Sequence, residues 1–327
     1  MLSRVADSIY WMARYIERAE NLARFIDVTQ YFSLDQPDDS INHWKPLIQV
    51  TGDDAAFLKR HDTYSPEAVV HFLTFDREYP HSILASLTAA RENARSVREA
   101  ISSEVWEHLN DFYHGVRNAE QTFQDDVRAF ARYGTADNLF DWIKRNSLIS
   151  AGLIDSTMSR GIGWHFANLG RLLERADKTS RILDVKYFTL LPSLEHVGTT
   201  LDDLQWSELL RSVSAFEMYR KQYQTITVPR VIQFLVLDET FPRAVRYCLD
   251  EALLSLRAIS NRGRKRPTDD LPRNSAEEEL TGLCEEIASL DATTIIQRGM
   301  HQFVDHLQRR LNEVGDRVYT QFLLIGP

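Results

Sequence analysis

One fifteen-residue segment occurs twice in this sequence, and this repeat constrains the fold more than any other feature. Residues 14–28 and 171–185 carry the same residue at seven positions, and Glu20 and Asp177 keep the same charge at an eighth. The identical pairs are Arg14/Arg171, Glu17/Glu174, Arg18/Arg175, Ala19/Ala176, Arg24/Arg181, Asp27/Asp184 and Val28/Val185. A segment duplicated with its charges in place predicts two similar folding units.

The repeat extends beyond this segment. Trp44 aligns with Trp206, the segment 72–76 with 234–238, and Tyr79-Pro80 with Phe241-Pro242. The offset is 157 residues at the first motif (14 to 171) and 162 from the tryptophans onward (44 to 206), so one insertion of about five residues accounts for the change. We therefore predict repeat units at 1–158 and 159–327, related by a pseudo-two-fold axis.

The composition and the hydrophobic periodicity predict an all-α protein, a tandem-duplicated helical bundle. The 327 residues include only 13 glycines and 10 prolines, which favours long helices over turn-rich β structure. The segment 225–237 is rich in β-branched residues, but we predict a helix there because Pro229 would disrupt a central strand. Ser65 is the expected N-cap of one helix, and Pro80 is expected to open another. The predicted helices of the first unit are 3–33, 42–51, 53–60, 66–75, 80–101, 104–131 and one from about 137, and the chain ends with 275–290 and 295–323 after a loop at 261–274.

Charge and cysteine content exclude several classes of function. The net charge of −9 makes general nucleic-acid binding unexpected. Cys248 and Cys284 are the only cysteines, which indicates buried thiols in a reducing compartment rather than a disulfide framework. The sequence contains no run of 18 apolar residues, so we predict no membrane-spanning helix. The amphipathic pattern begins by Ser3, so we expect no signal peptide. We expect a soluble, cytoplasmic protein.

The repeated segment places a charged stripe on one side of each motif helix, and three interpretations remain open. The stripes can pair across the two units, since arginine suits bidentate contact with the carboxylates of Glu17 and Glu174. They can instead line a cleft for a small charged ligand, or one of the two glutamates can be a general acid or base. The candidate residues are Arg14, Glu17, Arg18, Glu20, Arg24, Asp27, Arg171, Glu174, Arg175, Arg181 and Asp184, with Asp76, Asp238, Arg95 and Arg98 as further members.

Other features have simpler interpretations. Asp76 and Asp238 recur before Tyr79 and Phe241, where they either cap a helix or join the cleft. Trp44 and Trp206 are expected to anchor the core. The basic run Arg262, Arg264, Lys265 and Arg266 is either a solvated loop or a docking point for an acidic partner.

Motifs for metals, nucleotides and nucleophiles are missing from the sequence. Glu17-x-x-Glu20 and Glu174-x-x-Asp177 have the spacing of a di-iron helix but lack its histidine, and the adjacent arginines would repel a cation. Neither a phosphate-binding glycine loop nor a Gly-x-Ser-x-Gly elbow occurs. We therefore predict no metal and no cofactor.

Three blocks resemble the bacterial alpha-E domain family. The first runs from Leu2-Ser3-Arg4 through Tyr10-Trp11 to Glu17-Arg18-Ala19-Glu20-Asn21, and the second is Gly163-Trp164 through Gly170-Arg171 to Glu174-Arg175-Ala176. Between them lie Arg91-Glu92-Asn93-Ala94-Arg95 and Trp106-Glu107. Ala13 departs from the pattern, which has glycine at the equivalent Gly170. The resemblance covers essentially the whole chain and implies a duplicated, all-helical protein.

The resemblance also implies partners. Such proteins are typically encoded beside circularly permuted ATP-grasp amide ligases, often with transglutaminase-like peptidases. It therefore implies an accessory protein of an ATP-grasp-type amide ligase that makes or modifies a peptide. The alternative is an enzyme or substrate-binding subunit that uses a Glu- and Arg-lined cleft on peptides or amino acids. Burial and mutual pairing of Glu17, Arg18, Glu174 and Arg175 would favour the first, and an open cavity lined by them the second.

Overall fold

A computed structural model describes residues 1–35, 44–125, 139–189, 200–260 and 274–324, and within these ranges it is helical with no β-strand. The helices are α1 (Ser3–Asp35), α2 (Trp44–Thr51), α3 (Asp54–Leu58), α4 (Pro66–Thr74), α5 (Ile83–Ser96), α6 (Ser103–Asp125), α7 (Leu139–Thr157), α8 (Ile162–Thr189), α9 (Thr200–Ser212), α10 (Phe216–Gln222), α11 (Val228–Leu235), α12 (Val245–Ser260), α13 (Ser275–Ala288), α14 (Ala292–Arg298) and α15 (Met300–Val318), followed by a π-helical turn at Tyr319–Leu323. The prediction of an all-α protein is confirmed.

Helices α1 and α8, which carry the two copies of the repeated segment, form the centre of the molecule and pack on each other. Helices α5 and α7 pack on α1, and α6 contacts both of them. In the same way, α12 and α15 pack on α8, and α13 contacts both. The polar stripes of α1 and α8 therefore lie where two groups of helices meet.

The two central helices approach each other closely at Gly170. A Cβ atom at this position would lie 2.5 Å from the backbone oxygen of Tyr10 in α1. Real Cβ contacts are almost never that short, so a side chain at residue 170 would push the helices apart. Glycine at this position lets the backbones approach closely enough for short arginine–glutamate contacts between the helices.

Several helices begin at positions separated by the offset of the sequence repeat. Helices α3 and α10 begin at residues 54 and 216, α4 and α11 at 66 and 228, and α5 and α12 at 83 and 245. Aromatic pairs follow the same spacing, with Phe72 stacked on Tyr79 at 4.1 Å and Phe234 on Phe241 at 4.6 Å between ring centroids. The starts of these three pairs of helices and the stacked aromatic pairs therefore follow the offset of 162 residues (54 to 216).

Local signals in the sequence set several helix starts. Ser65 caps α4, with its hydroxyl accepting a hydrogen bond from the amide of Ala68 at 3.2 Å. The segment at 225–237 contains helix α11, which confirms the choice of helix over strand. Trp44 and Trp206 are buried as expected, and both cysteines are buried free thiols.

The structure differs most from the prediction at the helices expected at 80–101 and 295–323, and the first of these ends at Ser96 rather than at 101. Pro80 does not open a helix, because the chain turns at 80–82 and Ser82 caps α5 by accepting from the amide of Ala85 at 3.0 Å. The predicted helix 295–323 is divided at Gly299, whose φ of +92° is accessible to glycine and strained for other residues. The predicted continuation of α6 to residue 131 and the loop with its basic run at 261–273 lie outside the described residues.

The lengths and hydropathies of the helices test the expectation that no segment spans a membrane. Among the described residues, no helix is both long enough and apolar enough to cross a bilayer.

Candidate functional site

The charged stripes of α1 and α8 are buried against each other. Glu17 and Glu174 have exposed fractions of 2 % and 0 %, and Arg175 one of 6 %. Buried charges are costly unless they are paired and hydrogen-bonded, so the partners of these side chains decide whether the interface is stable.

Glu174 of α8 receives two arginines from α1. Arg18 donates through Nε to Oε1 at 2.7 Å and through Nη2 to Oε2 at 3.1 Å. Arg14 donates through Nε to Oε2 at 2.9 Å. Lys178, one turn along α8, lies 3.6 Å from Oε1. The carboxylate is therefore held by three cations, two of which come from the other helix.

Glu17 of α1 is held in a reciprocal way. Arg175 of α8 donates to Glu17 through Nε at 2.8 Å and Nη2 at 2.7 Å, and the amide of Asn21 adds a bond at 3.0 Å. Arg243, from the turn before α12, is a further partner at 3.2 Å. Each helix thus supplies one glutamate to the other and receives one glutamate in return.

In the next turn, Glu20 and Asp177 are each paired with an arginine of their own helix. Glu20 accepts from Arg24 at 2.7 Å and from Arg243. At the equivalent position in α8, Asp177 lies 2.8 Å from Lys178 and 3.1 Å from Arg181. The guanidinium groups of Arg24 and Arg181 also donate to backbone carbonyls, those of Ser212 at 2.6 Å and Val50 at 2.9 Å. These bonds tie the central helices to α9 and α2.

The electrostatic surroundings keep these carboxylates ionised. Burial alone would raise the pKa of Glu17, but the charges of Arg175 and Arg243 outweigh burial and hold it well below its ordinary value. The pKa of Glu174 is lowered in the same way, against burial, by Arg18, Arg14 and Lys178. Burial also opposes the shift at Asp177, where Lys178 and Arg181 lower the pKa to about 2. A carboxylate with a lowered pKa is a weak base at neutral pH, so neither glutamate is tuned as a general acid or base.

A cavity of about 240 Å³ opens beside Glu174. Four basic side chains line it, together with the carboxyl groups of Glu174, Asp177 and Asp53, with Tyr79 and His81, and with apolar side chains that include Leu22 and Phe25. The four basic residues are Arg14, Arg18, Lys178 and Arg181, each partly exposed at 11 % to 20 % of the side chain. Glu174 is buried, so the accessible wall of the cavity presents four cations against the two partly exposed carboxylates of Asp177 and Asp53.

His81 and Tyr79 line this cavity, and the sequence prediction missed them as site residues. Burial, together with the positive charge of Arg18, lowers the pKa of His81, so its ring is neutral at neutral pH. Arg18 Nη1 lies 3.1 Å from His81 Nδ1, which must therefore accept, leaving the ring proton on Nε2. Tyr79 donates its hydroxyl proton to Asp53. The repeat aligns His81 with Arg243, so comparing the two units could have identified residues 81 and 243 as site positions.

Other predicted members lie apart from the cavity. Asp27 binds Lys144 of α7 at 2.6 Å, and Asp184 lies 3.1 Å from His301 of α15. Arg171 donates to Asn168 at 2.6 Å, whereas its counterpart Arg14 donates to Glu174. The pKa of Arg171 is lowered mainly by burial and further by the positive charge of Arg175. Asp27 and Asp184 thus connect the central helices to α7 and α15, whereas the bond from Arg171 stays within α8.

The second group of predicted residues forms local contacts. Asp76 accepts from the amides of Glu78 and Tyr79, and Asp238 from those of Thr240 and Phe241, so both stabilise turns before the prolines rather than cap a helix. Arg95 pairs with Glu92 on the surface, and Arg98 stacks on Trp106. None of these four is among the described residues that line the cavity beside Glu174.

The described part of the chain supports neither a metal-binding cluster nor a reactive cysteine. These residues contain no group of three or more His, Cys, Asp or Glu side chains placed to hold a metal ion. Burial raises the pKa of each cysteine to about 12, so the thiols are protonated at neutral pH and unreactive as nucleophiles.

Comparison with known proteins gives a family without a known reaction. Three mycobacterial proteins, one from Mycobacterium bovis and two from strains of Mycobacterium tuberculosis, are each 26 % identical to this chain over 321 residues and are described as uncharacterized. The match covers 88 % of this chain but 34 % of each relative, so the chain spans about a third of their length. No solved structure matches the chain significantly. A family described as a predicted alpha-helical domain with a conserved ER motif matches residues 1–323, and the chain therefore belongs to the Alpha-E family.

Proposed function

We propose that this protein is a non-catalytic accessory subunit of an ATP-grasp-type amide ligase that makes or modifies a peptide. The observation that carries the non-catalytic role is the pairing of Glu17 and Glu174, which are buried, bound by arginines and held below their ordinary pKa values. Groups in this state hold the two helices in one arrangement and are poor proton-transfer catalysts. The ligase partner itself comes from the family resemblance, and a transglutaminase-like peptidase is a further proposed partner.

The mycobacterial relatives support a role beside another protein. Their matched segment makes up 34 % of each chain, so in those proteins the helical unit shares a polypeptide with additional sequence. The part of each relative that lies outside the match leaves room for a further domain in the same polypeptide. We propose that the ligase binds the present chain.

We further infer that the fold arose by duplication of an ancestral half, with units at 1–158 and 159–327 about a pseudo-two-fold axis. The reciprocal pairs Arg18–Glu174 and Arg175–Glu17 support this inference, because an axis between α1 and α8 would exchange them. The shared offset of the helix starts gives independent support.

A second candidate function has its own support. The cavity beside Glu174 has a partly exposed cationic wall and fits an alternative role as a substrate-binding subunit for peptides or amino acids. In that role the protein would present a charged substrate to the ligase while the ligase performs the chemistry.

Co-purification tests the accessory function. The full-length chain with an affinity tag is co-expressed with the circularly permuted ATP-grasp ligase-like protein of the same genome, and ATP-dependent amide formation is measured with and without it. We expect the two proteins to elute together and the ligase rate to fall when the chain is omitted. Separate elution together with an unchanged rate would refute the proposal.

Two substitutions distinguish a structural role of Glu174 from a catalytic role in the same assay. Glu174→Gln removes the proton-accepting ability of the carboxylate, and Glu92→Gln makes the same change in a partly exposed surface pair. If the kcat of the ligase at saturating substrate falls with Glu174→Gln although folding and association are retained, the non-catalytic role is wrong. An unchanged rate with both folded variants supports it.

A further inference from the structure

The two charged clusters differ at a few positions that the repeat aligns. Around Glu17, the side chains at these positions are Asn21 and Arg243, and around Glu174 they are Lys178 and His81. Each cluster therefore has one additional cation, but it stands on a different element. In the first cluster it is on the turn before α12, and in the second it is on α8 itself.

The element that carries the additional cation decides how much space remains beside the carboxylates of each cluster. Arg243 is buried, and its guanidinium lies between Glu17 and Glu20. At the equivalent place, the smaller imidazole of His81 stays beside Arg18, while Lys178 supplies the charge to Glu174 and Asp177. The cavity of about 240 Å³ lies where an arginine side chain would otherwise reach these two carboxylates.

The charges that line the cavity favour an anionic group. Arg14, Arg18, Lys178 and Arg181 carry four positive charges, while Glu174, Asp177 and Asp53 carry three negative charges, which leaves an excess of one positive charge when His81 is neutral. A cationic ligand would meet four basic side chains and two carboxylates that are already paired. One carboxylate group balances the excess, whereas a phosphate dianion would exceed it.

The remaining lining suggests more than a bare carboxylate. The Asp53 carboxyl group, which accepts from Tyr79, can also accept from an ammonium or amide group of a ligand. Leu22, Phe25, Leu173 and Leu311 provide apolar contacts. The volume lies below the roughly 300–1,000 Å³ of sites for drug-sized ligands, so it suits a molecule of amino-acid or dipeptide size.

We propose that the cavity between Arg14, Arg18, Lys178 and His81 binds the free carboxylate of an amino acid or short peptide, while Arg243 fills the equivalent position of the other unit and makes that cluster structural. This inference rests on the second candidate function, the substrate-binding role. It names the class of ligand and assigns binding to one of the two charged clusters.

Calorimetric titration of the full-length chain tests the proposal. The probes are the twenty L-amino acids and L-alanyl-L-alanine, the C-terminal amide of each, and inorganic phosphate. We expect at least one free carboxylate to bind and its amide to bind at least about tenfold more weakly, because the amide cannot form the charge-assisted bonds. The inference is overturned if no carboxylate binds, if an amide binds equally well, or if phosphate is the only probe bound.

A charge-neutral double substitution locates the site. His81→Arg with Lys178→Asn gives the Glu174 cluster the residues of the Glu17 cluster, so the introduced guanidinium should pair with Glu174 and Asp177 and occupy the cavity. We expect carboxylate affinity to fall by at least about tenfold although the net charge is unchanged. The matched control, His114→Arg with Lys59→Asn, makes the same exchange at positions that do not line the cavity and should bind like wild type.

The outcomes separate this inference from the accessory function. Wild-type affinity in the folded double variant, verified by circular dichroism and urea unfolding, would refute the assignment to this cavity. If the folded double variant loses binding, the assignment holds whether or not the ligase co-purifies. Separate elution of the two proteins together with an unchanged ligase rate would refute the accessory function and leave the carboxylate site standing.

Discussion

Arg18 on α1 and Glu174 on α8 form a bidentate pair across the centre of the molecule, with nitrogen–oxygen distances of 2.7 and 3.1 Å. Glu174 is buried, so it makes these bonds away from bulk water. A pair of this kind gains little net stability over an apolar contact, but losing one partner leaves an unpaired charge inside the protein. The pair therefore makes the contact between α1 and α8 highly sensitive to substitution.

Replacing Glu174 with glutamine should strongly destabilise the fold. Arg14 and Arg18 would lose their carboxylate while remaining largely buried, and we expect the free energy of unfolding to fall by about 3 kcal/mol or more. Urea unfolding followed by circular dichroism measures the change. Glu92→Gln, in a partly exposed pair with Arg95, should cost less than about 1 kcal/mol. Equal effects of the two substitutions would mean that burial does not control the cost.

Glu17 and Arg175 should be energetically coupled. A double-mutant cycle with Glu17→Gln and Arg175→Gln isolates their interaction, and we expect a coupling free energy of about 1–3 kcal/mol, since both side chains are buried. The cycle for Asp305 and Arg309, which are exposed at the surface and 3.9 Å apart, should give less than about 0.5 kcal/mol. A coupling at Glu17 no larger than that at Asp305 contradicts the assigned geometry.

Acid should destabilise the protein through the carboxylates of the central helices. The pKa of Glu174 is lowered from 4.5 and that of Asp177 is lowered to about 2, so their contribution to stability is complete above their ordinary pKa values and is lost as the pH falls towards the lowered ones. Urea unfolding from neutral pH down to about pH 3 should show this loss. Glu174→Gln should give a flatter pH dependence, and the same dependence as wild type would exclude Glu174 as a cause.

Gly170 should not tolerate even a methyl group. The Cβ of Gly170→Ala would lie 2.5 Å from the Tyr10 backbone oxygen, and we expect a loss of about 1–3 kcal/mol in the free energy of unfolding. Gly152→Ala is the control, because its Cβ would meet no atom within 4 Å in the interior of α7, where alanine should stabilise by about 0.5–1 kcal/mol. Urea unfolding measures both changes in the free energy of unfolding. If the two changes had the same sign, the close approach of the central helices would be contradicted.

Cys248 and Cys284 should resist thiol reagents in the folded protein. Both side chains are buried, and burial raises the pKa of each to about 12, so little thiolate forms at neutral pH. We expect slow labelling by a disulfide reagent in native buffer and complete labelling of both thiols in urea. Fast labelling of either thiol under native conditions would show that its surroundings open.

Hydrophobic spacing and local capping signals were sufficient to predict most of the fold. Ser65 caps its helix as predicted, and Pro229 correctly indicated a helix rather than a strand at 225–237, where α11 lies. The helix start at Ile83 and the break at Gly299 were missed, because both depend on which hydrogen bonds the turn can form once it is packed. The repeated charges also identified the residues that meet at the α1–α8 interface.

The sequence by itself determined most of the secondary structure and marked Glu17, Arg18, Glu174 and Arg175 as a related set, because periodicity and repetition are properties of the chain. Tertiary structure decided which charge meets which, since a bidentate contact depends on the separation of two helices that are far apart in sequence. It also decided that His81 leaves a cavity open while Arg243 lies between two carboxylates, because the space around a side chain is set by the elements packed against it.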